Sequence, residues 1–255
     1  MNETFKLAGY KLIMKALAIT TFLAILSLVS TSAVAQTQKT GVTTFPLGNQ
    51  LTVIPAPDGF EEAASQFEFI KDHFSRTEAL DNDMLAVHLP RGDCDKLRAG
   101  ESAPLNFYTK VSIRKAIRDE DYSAERFADL VATFRKTGSH VLDVNSPTMK
   151  GAVQQLDKGL SEINKKETRV ALSQPVNLGE FDTRPNVYGV ILMISFTSKS
   201  GDSKVTLPLV AGLSYVRVKQ RLIYVYTYRR YNSVADVEVL RDFTRQWLGK
   251  ILAAN

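Results

Sequence analysis

Three histidines, one cysteine and a few acidic clusters are the residues of this chain whose types could do chemistry. His73, His88 and His140 form no His-Glu-x-x-His pattern and no close pair at zinc-ligand spacing. His88 stands six residues before Cys94, which matches no metal-ligand spacing either. Cys94 lies between Asp93 and Asp95, whose charge disfavours the thiolate a nucleophile needs. A single cysteine closes no internal disulfide, so Cys94 is read as a free thiol or a bridge to another chain. Gly212-Leu213-Ser214-Tyr215-Val216 lacks the second glycine of a nucleophile elbow and falls inside a strand pattern. Asp81-Asn82-Asp83 opens like a calcium loop but lacks the third acidic position, the glycine and the distant glutamate. Arg91-Gly92-Asp93 spells an adhesion tripeptide in a predicted polar loop and is read as coincidence. There is no glycine-rich phosphate loop, and paired carboxylates of the glycosidase kind would meet only in the fold. These residues nominate no catalytic group, no metal ligand and no cofactor.

What remains is a surface. The segment RLIYVYTYRRY and the strand before it gather Arg217, Lys219, Arg221, Arg229 and Arg230 beside Tyr224, Tyr226, Tyr228 and Tyr231. Arginine and tyrosine dominate binding hot spots because each joins contact area to hydrogen bonding. A hairpin surface of Arg217, Lys219, Arg221, Tyr228, Arg229, Arg230 and Tyr231 would suit an anionic headgroup, a polyanionic glycan or an acidic protein face. In the competing reading the tyrosines are sheet residues covered by the following helix, and the arginines are solvated at strand ends.

The elements that position these residues are legible. VTLPLVAGLSYVRV and RLIYVYTYRRY read as two strands joined at Lys219-Gln220, apolar or aromatic on both faces, as a covered central sheet requires. The turn lacks the Asn-Gly that two-residue hairpins prefer. A helix follows from Ser233 as N-cap with Asp236 at the capping-box position, and Leu240, Phe243, Trp247 and Ile251 form its apolar stripe. Upstream, LTVIPAP predicts a short strand ended by Pro55 and Pro57, and residues 60–74 are compatible with a helix. Residues 84–89 read as a strand stopped by Pro90, with a polar loop through Pro104. In residues 106–115, Phe107, Thr109, Val111 and Ile113 alternate with Tyr108, Lys110, Ser112 and Arg114. One helix spans residues 123–136 with Gly138 to end it, and a second opens with Ser146 as N-cap and Pro147 at the first helical position. Strands return at residues 169–173 and 187–197. Helices gathered between groups of strands predict an α+β fold, with a central antiparallel sheet sandwiched by helices and closed by strand, strand, helix.

Residues 1–35 read as a signal peptide. Lys11 and Lys15 precede an apolar run over residues 17–29, and Ala33-Val34-Ala35 offers a small-x-small cleavage site. The run is shorter than the roughly 20 residues a membrane span needs. Met14 would open a more compact leader, making it a candidate start. Cleavage after Ala35 leaves a polar tail over residues 36–49 and one domain over residues 50–255, with no transmembrane span. It also removes three lysines and one glutamate, so the net charge falls from +5 to +3. That charge and export both speak against nucleic acid as a partner and for a periplasmic or secreted protein.

The early LTVIPAPDGF, the middle pair of helices and the closing SYVRVKQRLIYVYTYRRYNS…LRDFTRQWLGKILAAN resemble the PsbP-like α/β/α sandwich superfamily. That superfamily includes the lumenal PsbP subunit of photosystem II, the Ran-binding Mog proteins and small periplasmic bacterial relatives. The resemblance covers most of residues 50–255 by pattern and order and transfers no functional residue. It implies a binding or assembly role without chemistry, toward an unknown protein or an anionic envelope component. The alternatives are an envelope hydrolase with a dispersed acid/base site, or a peripheral binder of anionic membrane or glycan.

Overall fold

The computed structural model describes residues 42–141 and 143–255, so the leader, its cleavage site and Met14 lie outside the described residues. The strands are β1 (Val42–Leu47), β2 (Gln50–Pro55), β3 (Phe60–Glu62), β4 (Asn82–Pro90), β5 (Phe107–Arg114), β6 (Arg169–Leu172), β7 (Val176–Asp182), β8 (Val187–Ser200), β9 (Ser203–Val218) and β10 (Arg221–Arg230). The helices are α1 (Glu68–Arg76), α2 (Arg91–Arg98), α3 (Ala124–Val141), α4 (Pro147–Asn164) and α5 (Ala235–Ala253). The main sheet runs β3-β4-β5-β10-β9-β8-β6, all antiparallel, and β7 shares with β6 the same edge of β8. β1 and β2 form a separate two-stranded ribbon. This is the α+β sandwich expected from the sequence.

Two cores lie on the two faces of the sheet. Leu222, Tyr224, Tyr226 and Tyr228 of β10 face a layer that includes Phe74, Phe127, Phe134, Leu156 and Leu160 of the first helices. Ile223 and Val225 face the other layer, with Leu240, Trp247, Leu248 and Ile251 of α5 and Leu47 and Ile54 of the ribbon. The period of two along the strand thus splits one sequence between two cores. The covering helices need close approach. A Cβ at Gly159 of α4 would meet the Arg76 carbonyl at 2.7 Å, so the glycine, unfavourable by propensity, lets α4 lie against the end of α1.

Five local expectations change. The tail over residues 36–49 contains β1, because Val42–Leu47 finds a backbone partner in β2. In residues 60–74 the chain first pairs with β4, then turns where the Glu62 carboxylate accepts from the Ala64 and Ser65 N–H groups, and only then forms α1. The loop after Pro90 is a short helix, α2, with Cys94 as its buried anchor. Gly138 does not end α3, which runs through it to Val141. β7 carries no clean alternation and bends at Gly179, where φ is +104°, which hides it in sequence.

At Lys219-Gln220 both residues have positive φ, 44° and 61°, the geometry of a two-residue type I′ turn made without glycine. It is held by the Tyr122 N–H on the Gln220 carbonyl at 2.7 Å and by Lys219 Nζ on the Leu51 carbonyl at 2.8 Å.

Candidate binding surface

The hairpin residues nominated from sequence do not form one surface, because β10 separates them into two ends. At the turn, Arg221 is only 1% exposed and serves as an internal tie. Its Nε donates to the Leu47 carbonyl at 2.9 Å, one Nη to Asn49 Oδ1 at 2.8 Å and the other to the Glu120 carbonyl and the Asp121 carboxylate. Arg217, half-buried, donates to the Tyr122 carbonyl at 2.6 Å and to Asn186 Oδ1 at 3.1 Å. Lys219 is exposed but spends its charge on Leu51. In the strand, Tyr228 is buried and stacks on Tyr108 with centroids 4.9 Å apart. Arg221 and Tyr228 are therefore structural, since a guanidinium or ring closed off from solvent cannot grip a partner.

The other end is open. Arg229 and Arg230 point to opposite faces of the sheet, as neighbours on a strand must. Arg229 reaches the α5 side, where its Nε donates to Asp236 Oδ1 at 2.6 Å and its guanidinium lies 5.3 Å from the centre of the Phe107 ring. Asp236 also accepts from the Asn232 and Ser233 N–H groups at 2.8 and 2.9 Å. The cap expected from the Ser233 side chain is thus supplied in reverse, by the carboxylate reaching back. The Arg229 hydrogen bond and these N–H groups hold the Asp236 carboxyl down to about 2. Arg230 is exposed, and its side chain makes no hydrogen bond or ion pair among the described residues.

Sequence reasoning noted Phe107 and Phe243 separately and missed what the fold does with them. Phe60 of β3, Phe107 of β5 and Phe243 of α5 converge, with centroids 5.0, 5.0 and 4.6 Å apart. Phe60 is covered, while Phe107 and Phe243 stay half-exposed beside Arg229. One turn earlier on α5, Val239 is 45% exposed, and Val234 before the helix is 73% exposed. The result is an apolar corner with a fixed cation, the composition of an interface core.

The remaining chemical candidates are placed as follows. His88 is fully buried, its Nδ1 3.0 Å from Thr109 Oγ1, and burial lowers its pKa to about 3. Cys94 is buried in α2, and burial, then Glu61, pushes its thiol up to about 12. Ser214 is buried in β9 and His73 in α1, while the side chain of His140 lies outside the described residues. Asp81 and Asp83 are taken by Arg114 and Arg118 at 3.2 and 2.7 Å, and Arg91 faces Glu61 at 3.4 Å. Lys110 is a polar group whose place the sequence did not foresee. Expected on a polar strand face, it is buried under the first helical layer and paired with Glu78, which also accepts from Ser112 at 3.0 Å. Burial lowers the Lys110 pKa against the pull of Glu78. A depression of about 330 Å³ is lined by Val144, Asn145, Lys150, Val153, Gln154 and Leu172, with no carboxylate or histidine among them. Among the described residues no group of three His, Cys, Asp or Glu side chains could hold a metal ion, and no helix is long and apolar enough to cross a membrane.

No family model and no curated protein matches the chain. Solved structures similar to it include two of Mog1. The Ran-binding protein Mog1p of Saccharomyces cerevisiae aligns at 14% identity over 83% of this chain and 94% of its own, with a TM-score of 0.32. A single-substitution mutant of Mog1 aligns at 14% identity over 83% of this chain and 93% of its own, also with a TM-score of 0.32.

Proposed function

We propose that the chain is an exported, non-catalytic binding or assembly module that holds a protein partner at the corner where β10 hands over to α5. The observation that carries this reading is the Phe60–Phe107–Phe243 cluster, left half-open beside Arg229 and the exposed Val234 and Val239. Elsewhere Arg217 and Arg221 are consumed by carbonyl oxygens and a carboxylate, and His73, His88 and Cys94 are buried. The PsbP-like pattern of the sequence agrees with a role without chemistry. Export rests on Lys11, Lys15, the apolar run and Ala33-Val34-Ala35.

The test is affinity capture of tagged residues 36–255 from envelope extract, beside Val239→Glu and Phe243→Ser variants. One partner retained by the parent and lost by both variants supports the reading. A partner that both variants retain, or no partner at all, overturns it.

A further inference from the structure

The positive charge of the described chain is gathered at one tip. The whole chain carries +5, and residues 1–41 hold four lysines and one glutamate, which leaves +2 for residues 42–255. Around the β8–β9 turn, Lys165, Lys166, Arg169, Lys199 and Lys204 meet Glu167, Asp202 and, through Arg169, Asp157, a local +2. The rest of the described chain therefore carries no net charge.

The register makes this more than composition. Arg169 of β6 pairs with Lys199 of β8, and Lys199 pairs with Lys204 of β9, so three cations stand in one row across three strands. Like charges directly opposite each other on antiparallel strands repel, so the row works against stability. Lysines that blunt an unpaired sheet edge are a common device, but Lys199 has a strand on each side. Glu167 at 2.8 Å and Asp157 at 3.8 Å offset Arg169, and neither reaches the lysines. The side chains of Lys165, Lys166, Lys199 and Lys204 make no hydrogen bond or ion pair among the described residues, and all four are exposed. The row lies on the sheet face that α5 covers further along β8; here Ser195 and Thr197 of that face are half-exposed. Thr197 and Thr206 share a hydrogen bond of 2.9 Å beside the row.

We infer that this tip docks on an anionic phospholipid bilayer. Four of the five cations are lysines, compact charges suited to a fluid array of headgroup phosphates, whereas bidentate recognition in a fixed site calls for arginine. No large hydrophobic side chain is strongly exposed at the tip, so the contact is electrostatic and does not insert. No aromatic ring is exposed there for a sugar to stack on. The surface is distinct from the α5 corner and does not depend on it.

Residues 36–255, which contain the whole described sheet and both cores, are sedimented with phosphatidylcholine vesicles with or without phosphatidylglycerol, at low and high ionic strength. Binding is expected only with phosphatidylglycerol and is lost at high salt. Lys199→Gln with Lys204→Gln weakens it about thirty-fold, the share of two lysines at an anionic surface. That variant relieves the cross-strand repulsion, so its melting temperature stays at or above the parent's, and lost binding is not lost folding. Equal binding to both vesicle types, binding undiminished in the variant, or no binding overturns the inference. Retention of the protein by a sulfated polysaccharide but not by vesicles overturns it too, and assigns the tip to a glycan.

Discussion

His88 meets Trp247 edge-on, with ring centroids 5.3 Å apart and planes at 80°. One ring belongs to β4 and the other to α5, so the contact pins the C-terminal helix to the sheet. His88 is one of a row of aligned residues, His88, Thr109, Thr227 and Gly212, that crosses four strands beneath α5. A Cβ at Gly212 would collide with Thr227 Oγ1, which is instead 2.7 Å from Thr244 Oγ1 of α5.

Burial holds His88 neutral, with a folded pKa of about 3 against the unfolded value near 6.5. Its contribution is complete above about pH 6.5 and is lost as pH falls toward the folded pKa, because the unfolded chain takes up the proton first. Stability should drop by about 1.4 kcal/mol per pH unit from this group alone. His88→Gln removes that slope. Urea midpoints across the acid range, compared between the two proteins, check it.

Arg221→Lys should destabilise the fold by about 3 kcal/mol or more, although charge is kept. One ammonium cannot serve the Leu47 and Glu120 carbonyls, Asn49 and the Asp121 carboxylate together. Denaturant unfolding gives the magnitude. Protease cleavage within residues 47–51, before global unfolding, would show that the ribbon has come loose.

Gln220→Gly should stabilise by roughly 1 kcal/mol, since glycine takes the left-handed region without the clash that φ of 61° imposes on glutamine. An unchanged melting temperature would mean that the turn's tertiary bonds already absorb the strain.

Cys94 should stay unreactive to a thiol reagent in the native protein. Its thiol is buried and its pKa is raised to about 12, so little thiolate exists at neutral pH. Labelling should track the unfolded fraction as urea rises. Rapid labelling of the folded protein would contradict the packing of α2.

The periodic elements were legible because burial repeats along them. β10 divides its residues between two cores as the alternation of RLIYVYTY demands, and the α5 stripe holds at Leu240, Trp247 and Ile251. α2 was not, because Cys94 and Leu97 are too short an apolar pattern to stand out from a loop. The role of Arg221 was hidden for a different reason. Its partners lie 174, 172 and 100 residues away, and no local pattern records a bond across that distance. The same holds for the corner, where Phe60, Phe107 and Phe243 meet only after β3, β5 and α5 are assembled.

The place of β10 beside β5 has a consequence for assembly. The chain's first half builds β3, β4 and β5, and its second half builds the strands that follow. Within the main sheet the two halves join along a single seam. A chain made from its N-terminus carries β5 with a row of bare N–H and C=O groups until β10, the last strand, has been synthesised. Until the seam closes, that edge is a template for any passing strand, and a chaperone that shields it would guard the step at which this protein is most exposed to misassembly.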